Sequence, residues 1–143
     1  SRWTSDMPAR SYLLDTNAVI ALMKNHPRVV EHIRRTGRPE LLICAPVEAE
    51  LWFGTSKSSR IDENRQHLLT LLEWLPSLPF SSEAARLCGE IRADLARKGT
   101  PIGPYDLQIA AIALANDCKL VTHNTGEFLP ISGLKLEDWE AEK

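Results

Sequence analysis

The sequence predicts an α/β domain in which a central parallel sheet lies between two layers of helices. Two short runs, Ser11–Leu14 and Leu41–Ala45, are apolar without alternation, as in parallel strands that helices cover on both faces. A third strand is expected at Lys119–Thr122, and helical patterns fill the stretches between these strands. Strands that alternate with helices in this way favour a parallel sheet in a three-layer α/β/α arrangement.

The length of the chain predicts one domain. Its 143 residues are enough to bury a substantial core. Residues 11–143 are expected to form this single domain, and residues 1–10 an N-terminal extension. Residues 1–6 show no periodicity and are expected to derive from protein expression, with Met7 as the native start.

Composition narrows the class of function. The formal net charge is −2, so no global positive field attracts nucleic acid, and such binding would need local basic patches or a metal ion. No apolar run approaches the roughly 18 residues of a membrane span, and no signal-peptide pattern opens the chain. The cysteines Cys44, Cys88 and Cys118 lack metal-type spacing and are expected to be reduced core residues. These features predict a cytoplasmic protein without a membrane partner.

The helices are predicted from amphipathic periodicity and from their end signals. Their expected ranges are Ala18–Lys24, Pro27–Arg35, a helix that begins at Pro46, Ile61–Leu75, Ser82–Lys98 and Tyr105–Ala115. Val30 and Ile61 are expected on inward faces, and Ser82 is the expected N-cap of the longest helix. Short strands are expected within Pro76–Phe80, where prolines restrict pairing, and at Leu134–Leu136.

Four polar side chains fall where predicted strands end or predicted helices begin: Asp15, Glu50, Asp106 and Asn124. Helix capping is the alternative role for Asp15 and Asp106. Two unit charges 4 Å apart repel by about 1 kcal/mol in water and about 4 kcal/mol at an effective dielectric of 20, so a cluster of these acids needs a compensating cation. Oxygen ligands without a cysteine or histidine cluster point to Mg²⁺ or Mn²⁺.

Four motifs in this order resemble those of PIN-domain ribonucleases, and among these the chain is most similar to the VapC toxins of bacterial toxin–antitoxin pairs. The motifs are Leu14-Asp15-Thr16-Asn17, Glu50 within Val47–Leu51, Gly103–Asp106 followed by Ile109–Ala111, and Val121–Phe128. The resemblance extends from about Ser11 to Trp139, which is nearly the whole chain. It implies a PIN-like fold with the three layers described above.

The resemblance also implies roles for individual residues. The metal ligands would be Asp15, Glu50 and Asp106, the fourth catalytic position would be Asn124, and the site-supporting residues would be Thr16, Asn17 and Thr122. Asn124 stands where many family members have aspartate, so this site carries one negative charge less. Mg²⁺, for which Mn²⁺ can substitute, would activate a water for attack on a phosphodiester. The sequence shows no serine–histidine–acid or cysteine–histidine arrangement, so a covalent intermediate is not expected.

The resemblance further implies the toxin of a type II toxin–antitoxin system, which acts as an endoribonuclease. A small VapB-like antitoxin would block the acidic cleft with its tail, and the toxin would form a homodimer within a larger assembly. The stretch Lys98–Asp106 resembles the subgroup that cuts initiator tRNA, so tRNA is a candidate among RNA substrates. The alternative is a catalytically silent PIN-fold module that binds proteins, and the presence of three acids argues against it.

Other interpretations concern single residues and related folds. Three related folds that carry acids at strand ends are not favoured because this sequence lacks residues that they need. Haloacid-dehalogenase phosphatases need an aspartate where Asn17 stands, integrin-type sites need serines after their aspartate, and response-regulator receivers need a late lysine at a strand end.

Asp94 is expected to be a solvated charge, although it could approach the acids. Candidate RNA contacts are Lys57, Arg60, Arg97, Lys98 and Tyr105, each with a solvated surface as its alternative. Trp52, Phe53 and Trp74 are expected in the core, with protein interfaces as the alternative. Of the histidines, His26, His32, His67 and His123, only His123 lies near the predicted site.

Overall fold

A computed structural model of the chain describes residues 11–37 and 39–142. The strands are β1 (Ser11–Leu14), β2 (Glu40–Cys44), β3 (Ser77–Leu78), β4 (Lys119–Val121) and β5 (Leu136–Glu137). The helices are α1 (Thr16–Met23), α2 (Pro27–Thr36), α3 (Ala45–Ser56), α4 (Ile61–Trp74), α5 (Ser82–Lys98), α6 (Pro104–Ala115) and α7 (Thr125–Phe128). The predicted N-terminal extension, residues 1–10, lies outside the described residues.

Within the described residues the strands form one parallel sheet in the order β3-β2-β1-β4-β5. The central strand is β1, and its Leu13 pairs with Leu42 of β2 on one side and with Leu120 of β4 on the other. All four residues of β1 are buried, because helices flank the sheet. This arrangement confirms the predicted α/β class with a central parallel sheet.

The strand order changes direction beside β1. The chain proceeds from β1 outward to β2 and β3, and then crosses back to place β4 and β5 on the other side of β1. In open α/β sheets the loops that leave the carboxyl ends of two such neighbouring strands diverge, and the crevice between them binds ligands. The topology therefore places a crevice at the carboxyl ends of β1 and β4.

The long helix α6 is the most buried helix of the fold. Its residues from Ile109 to Ala113 are at most 1% exposed, and three of these five residues are alanines. Small side chains let the helix axis approach its neighbours closely. Because α6 precedes β4 in a parallel sheet, its first turn lies at the carboxyl edge, where it faces the crevice.

The predicted element bounds need several corrections. Strand β2 ends at Cys44 and α3 begins at Ala45, one residue before Pro46. The N-cap of α5 is Ser81, whose hydroxyl accepts the Ala84 N–H, so the prediction of Ser82 was wrong. The last strand is shifted to Leu136–Glu137, and α7 was not predicted because four residues are too few for a helical period.

Two residues expected on inward faces are exposed instead. Val30 is 41% exposed and Ile61 is 49% exposed. The amphipathic helices α2 and α4 each bury a narrow stripe around one residue, Val29 and Leu68 respectively, because they lie at the outside of the domain. Among the described helices, none is long and apolar enough to cross a bilayer.

The acidic C-terminal segment is attached to the domain through Trp139. This ring is 3% exposed, lies edge-on to Tyr12 of β1 at 5.1 Å and stacks on His32 of α2 at 4.6 Å. Its indole N–H donates to Glu137 at 2.8 Å. The end of the described chain therefore covers part of the core.

Histidines from other elements face acids of the same segment. His123, which follows β4, lies 3.0 Å from Asp138 through its Nδ1 atom, and His26 lies 3.9 Å from Glu140. The hydrogen bond with Asp138, and then the charges of Asp138 and Glu140, raise the pKa of His123 above its ordinary value of 6.5. His123 therefore gains a proton more easily in the folded chain than in the unfolded chain.

The raised pKa of His123 predicts a pH-dependent anchor. Because the folded pKa is the higher one, the stabilisation is complete below pH 6.5 and disappears as the pH rises through the folded value. His123→Gln should therefore lower Tm more at pH 6 than at pH 9, as measured by thermal unfolding followed by circular dichroism. The matched control is His67→Gln, since the described residues place no acid within 4 Å of His67. Equal losses at the two pH values would contradict this anchor.

Candidate active site

A cleft of about 210 Å³ opens at the carboxyl edge of the sheet, where the topology places the crevice. Its lining residues are Asp15, Thr16, Asn17, Glu50, Asp106, Asn124 and Phe128. The structure thus brings together the four predicted catalytic residues and two of the three predicted supporting residues. The third, Thr122, does not line the cleft, but its side chain hydrogen-bonds two residues that do, Asp15 and Asn124.

Asp15 is the most enclosed acid of the cleft. It follows the central strand, is 7% exposed, and its Oδ1 atom accepts the Ala18 N–H at 2.8 Å as the N-cap of α1. The Thr122 side chain also hydrogen-bonds this carboxylate. Burial raises the pKa of Asp15, and these two hydrogen bonds oppose the increase. Capping and presentation to the cleft are therefore two roles of the same side chain.

Glu50 reaches the cleft from α3 and is held by the first turn of α1. The Thr16 hydroxyl donates to its Oε1 atom at 2.7 Å, across 34 residues of sequence. Thr16 directly follows Asp15, so the first turn of α1 orients both Asp15 and Glu50. The predicted supporting role of Thr16 has a specific contact in the structure, whereas Asn17 is exposed at the rim of the cleft.

Asp106 lies in the first turn of α6, which has no side-chain cap at Gly103. Uncapped N–H groups and the helix dipole favour a negative charge at this position. Desolvation nevertheless raises the pKa of Asp106 to about 7, together with a hydrogen bond that protonated Asp106 donates to Glu127 and the charges of Glu127, Asp15 and Glu50. In the metal-free protein Asp106 is therefore partly protonated near neutral pH, with its proton directed to Glu127.

The sequence interpretation missed the role of Glu127. This residue lies in α7 of the last motif, where the neighbouring Phe128 is 1% exposed and fixes the helix against the core. A signal was available in the motif, because Glu127 follows Asn124 at the three-residue spacing that places two side chains on one helix face. Glu127 thus adds a carboxyl group next to Asp106, close to the position where Asn124 lacks one.

Asn124 is exposed at the end of β4 and occupies the N-cap position of α7. Its backbone N–H donates to the Thr122 hydroxyl at 3.0 Å, and its side chain makes no cap bond. The side-chain amide is therefore available to a group that enters the cleft.

Asp94 and His123 lie outside the cleft. Asp94 pairs with Lys98 at 2.8 Å on α5 and does not approach the acids, as its solvated interpretation predicts. His123 is directed to Asp138. Among the cysteines, Cys44 and Cys118 are buried while Cys88 is partly exposed.

The donor set of the cleft fits a hard divalent cation. Its lining residues offer carboxylate, hydroxyl and amide oxygens and include no cysteine, histidine, lysine or arginine. Within residues 11–37 and 39–142, however, no three histidine, cysteine, aspartate or glutamate side chains converge closely enough to hold an ion as they stand. Glu50 faces Thr16 and Asp106 faces Glu127, so binding would require these carboxylates to reorient.

The family comparison agrees with this geometry. The profile of the PIN domain matches residues 12–131, which is most of the chain. The chain therefore belongs to the PIN-domain family, whose ribonucleases generally depend on metal ions.

Its relatives narrow the family further. The chain is 39% identical to the tRNA(fMet)-specific endonuclease VapC of Salmonella typhimurium over 131 residues, which cover 90% of this chain and 97% of the relative. It is 36% identical to Ribonuclease VapC2 of Rickettsia felis over 133 residues, which cover 90% of this chain and 98% of the relative. Within the PIN-domain family, the chain therefore groups with the VapC ribonucleases.

A solved structure supports the same grouping. The structure of VapBC2 from Rickettsia felis bound to a DNA fragment from their promoter matches with a TM-score of 0.82 at 35% identity, and covers 90% of this chain and 98% of that chain. This similarity confirms the predicted three-layer PIN-like fold.

The raised pKa of Asp106 predicts that its charge destabilises the metal-free protein. Because the folded pKa of about 7 exceeds the ordinary value of 3.8, stability falls as the pH rises between these values. Asp106→Asn keeps the shape and removes the charge, so it should raise the unfolding free energy at pH 8 by about 1–2 kcal/mol, after allowance for solvent screening. Chemical denaturation in EDTA at pH 5 and pH 8 measures this difference, which should shrink at pH 5.

The control is Asp94→Asn on α5. The Lys98 hydrogen bond lowers the pKa of Asp94, so removing this charge should not stabilise the protein. A metal-free Asp106→Asn variant that is less stable than the wild type at pH 8 would contradict the prediction that the charge of Asp106 destabilises the metal-free protein.

Proposed function

We propose that this chain is the toxin of a type II toxin–antitoxin pair and hydrolyses RNA phosphodiester bonds in the acidic cleft with Mg²⁺, for which Mn²⁺ can substitute. In this proposal Asp15, Glu50 and Asp106 are the metal ligands, and Asn124 completes the catalytic set. The observation that carries the proposal is the cleft itself, where three acids from separate elements meet without a neutralising base among the lining residues. Such a charge distribution costs energy unless a cation compensates it.

The acids of the cleft, the groups that hold them and Asn124 have roles in the proposed reaction. A bound Mg²⁺ would lower the pKa of a water and stabilise the charge that develops on phosphoryl oxygens. Thr122 and the Ala18 N–H orient Asp15, Thr16 orients Glu50, and Glu127 accepts a hydrogen bond from protonated Asp106. The neutral Asn124 amide donates a hydrogen bond to a phosphate oxygen, which an aspartate at this position would repel.

The alternative, a catalytically silent PIN-fold binding module, is not favoured. A module that only binds proteins has no need to keep Asp15 buried beside other acids, because buried carboxylates reduce stability. The named relatives of the chain are ribonucleases and an endonuclease.

The RNA substrate and the protein partners belong to the same proposal. The Salmonella relative is named as specific for tRNA(fMet), so tRNA is the first candidate substrate. The matched solved structure is a VapBC complex, which supports a VapB-like antitoxin as partner. A groove of about 220 Å³ between α1, α3 and α4 shares Thr16 and Glu50 with the cleft, so an antitoxin segment in this groove would reach the acids. A homodimer and a cytoplasmic location remain predictions.

Substitution of single acids tests the proposed reaction. Asp15→Asn and Asp106→Asn should each lower RNA cleavage by at least about 100-fold, because each removes a charge from the centre that stabilises the transition state. Thr16→Val should lower it by about 10- to 100-fold, because Glu50 loses its orienting hydrogen bond. The measurement is cleavage of 5′-labelled tRNA by purified, antitoxin-free protein with Mg²⁺ or with EDTA.

The matched control is Asp94→Asn, an acid of the same charge outside the cleft, which should cleave as the wild type does. Cleavage that persists in EDTA, or that survives both Asp15→Asn and Asp106→Asn, would exclude this mechanism.

Metal binding is predicted to depend on pH. The proton of Asp106 must leave before Asp106 can act as a ligand, and the pKa of Asp106 is about 7. Isothermal titration calorimetry of the RNA-free protein with Mn²⁺ should therefore give about tenfold tighter binding at pH 8 than at pH 6, because Asp106 is protonated in most molecules at pH 6. Glu127→Gln should alter this pH dependence, whereas Asp94→Asn should leave it unchanged. Identical affinities at the two pH values would rule out Asp106 as a ligand.

A further inference from the structure

We propose that Phe53, Lys57 and Tyr105 form a binding strip for an unpaired segment of RNA, in which the two aromatic rings stack on bases beside the acidic cleft. The proposal names the form of RNA that the cleft accepts, and it rests on the proposed RNA hydrolysis. It concerns residues that lie outside the cleft and that hold no metal.

The first part of the strip lies on α3, the helix that carries Glu50. Phe53 and Lys57 follow Glu50 at spacings of three and seven residues, so the three side chains lie along one side of the helix. Lys57 is about 10 Å further along the helix axis than Glu50. A strand that passes from the cleft along α3 would therefore meet a carboxylate, an aromatic ring and a cation in this order.

Phe53 is exposed in a way that calls for an explanation. Its side chain was expected in the core, yet it is 65% exposed. The Lys57 ammonium lies over its ring at 4.8 Å from the centroid, so the ring carries a cation on one side. An aromatic ring with an adjacent positive charge matches a nucleotide, which offers a flat base and a phosphate.

The second part of the strip is Tyr105, directly before Asp106 at the start of α6. It is 56% exposed, and the described residues provide no hydrogen-bond or ring partner for it. Gly103 and Pro104 precede it as the N-cap and first residue of the helix, which fixes the backbone beneath the ring. Tyr105 therefore presents an exposed ring directly beside Asp106 at the start of α6.

The remaining basic candidates from the sequence are occupied. Arg60 pairs with Glu63, Arg97 with Asp94, and Lys98 with both Asp94 and the Pro130 carbonyl. Lys57, by contrast, has no acid within 4 Å in the described part of the chain. Of these candidates, Lys57 is the cation that a phosphate can approach without displacing a carboxylate.

The electrostatics of the cleft favour stacking as the source of affinity. The net charge of the chain is −2 and the cleft is acidic, so the protein repels a polyanion at the point where it must bind. Base stacking does not depend on charge and is insensitive to sequence. Bases within a duplex are not accessible to side-chain rings, so the strip selects loops and other unpaired segments.

Binding measurements with Asp106→Asn protein in EDTA test the strip without cleavage. The probe is an RNA hairpin with 2-aminopurine in its single-stranded loop, and the comparison is a fully paired duplex of the same stem. Phe53→Leu and Tyr105→Leu should each weaken hairpin binding by about 5- to 150-fold and remove the quenching of 2-aminopurine by stacking. Phe53→Tyr and Tyr105→Phe should restore both, and duplex binding should not change.

Two further variants separate stacking from general effects. Trp74→Leu is the aromatic control, because Trp74 is 77% exposed at the end of α4, just before β3 begins. Trp74 therefore lies near the amino edge of the sheet, whereas the cleft lies at the carboxyl edge. This variant should bind the hairpin as the parent does. Lys57→Gln should reduce the slope of log affinity against log salt concentration by about 0.7, whereas Lys135→Gln should not.

The outcomes of these experiments distinguish the two proposals. Absence of Mg²⁺-dependent cleavage by the wild type overturns the proposed function. If the wild type cleaves RNA but the leucine variants bind the hairpin as tightly as the parent, the strip alone is overturned. Unchanged RNA binding together with altered self-association by light scattering would also overturn it, and would assign these rings to a protein interface. In the active background the leucine variants should raise KM with little change in kcat, as expected of positioning residues.

Discussion

The candidate site depends on one constraint, the cost of burying several carboxylates at the carboxyl edge of a parallel sheet. The reversal of strand order beside β1 creates the crevice, and elements from four parts of the chain deliver Asp15, Glu50, Asp106 and Asn124 into it. Burial and like charges raise the pKa of Asp15 and of Asp106. The folded protein therefore maintains a site that is unfavourable on its own and that a cation, bound as proposed, would make favourable.

The surrounding contacts distribute this cost among several residues. Thr16 holds Glu50, and Thr122 and the α1 backbone hold Asp15, so these acids are oriented by donors and not by basic side chains. Asp106 has its pKa raised to about 7 and hydrogen-bonds Glu127, so its negative charge is partly removed near neutral pH. A neutralising lysine or arginine would give more stability, but it would occupy the place where, in the proposed reaction, a cation and a phosphate would meet.

The sequence was sufficient for the fold class and for most of the residues that line the cleft. The unbroken apolar run of Ser11–Leu14 predicted a strand buried on both faces, and β1 is the fully buried centre of the sheet. Asp15, Glu50, Asp106 and Asn124 were predicted from their places at strand ends and helix starts and from the family motifs, and all four line one cleft. Periodicity was less reliable for Val30 and Ile61, because it shows which residues share a helix face and not how much of that face is covered.

By itself, the sequence determined which elements form, the order of the motifs along the chain, and the chemical type of each site residue, because strand periods, caps and side-chain chemistry are local properties. Only the tertiary structure decided that Glu127 contacts Asp106, that Thr16 rather than a base orients Glu50, and that Phe53 and Tyr105 stay exposed. These outcomes depend on distances between elements far apart in the chain. Such distances follow from how the helices pack on the sheet, and no local pattern of residues encodes them.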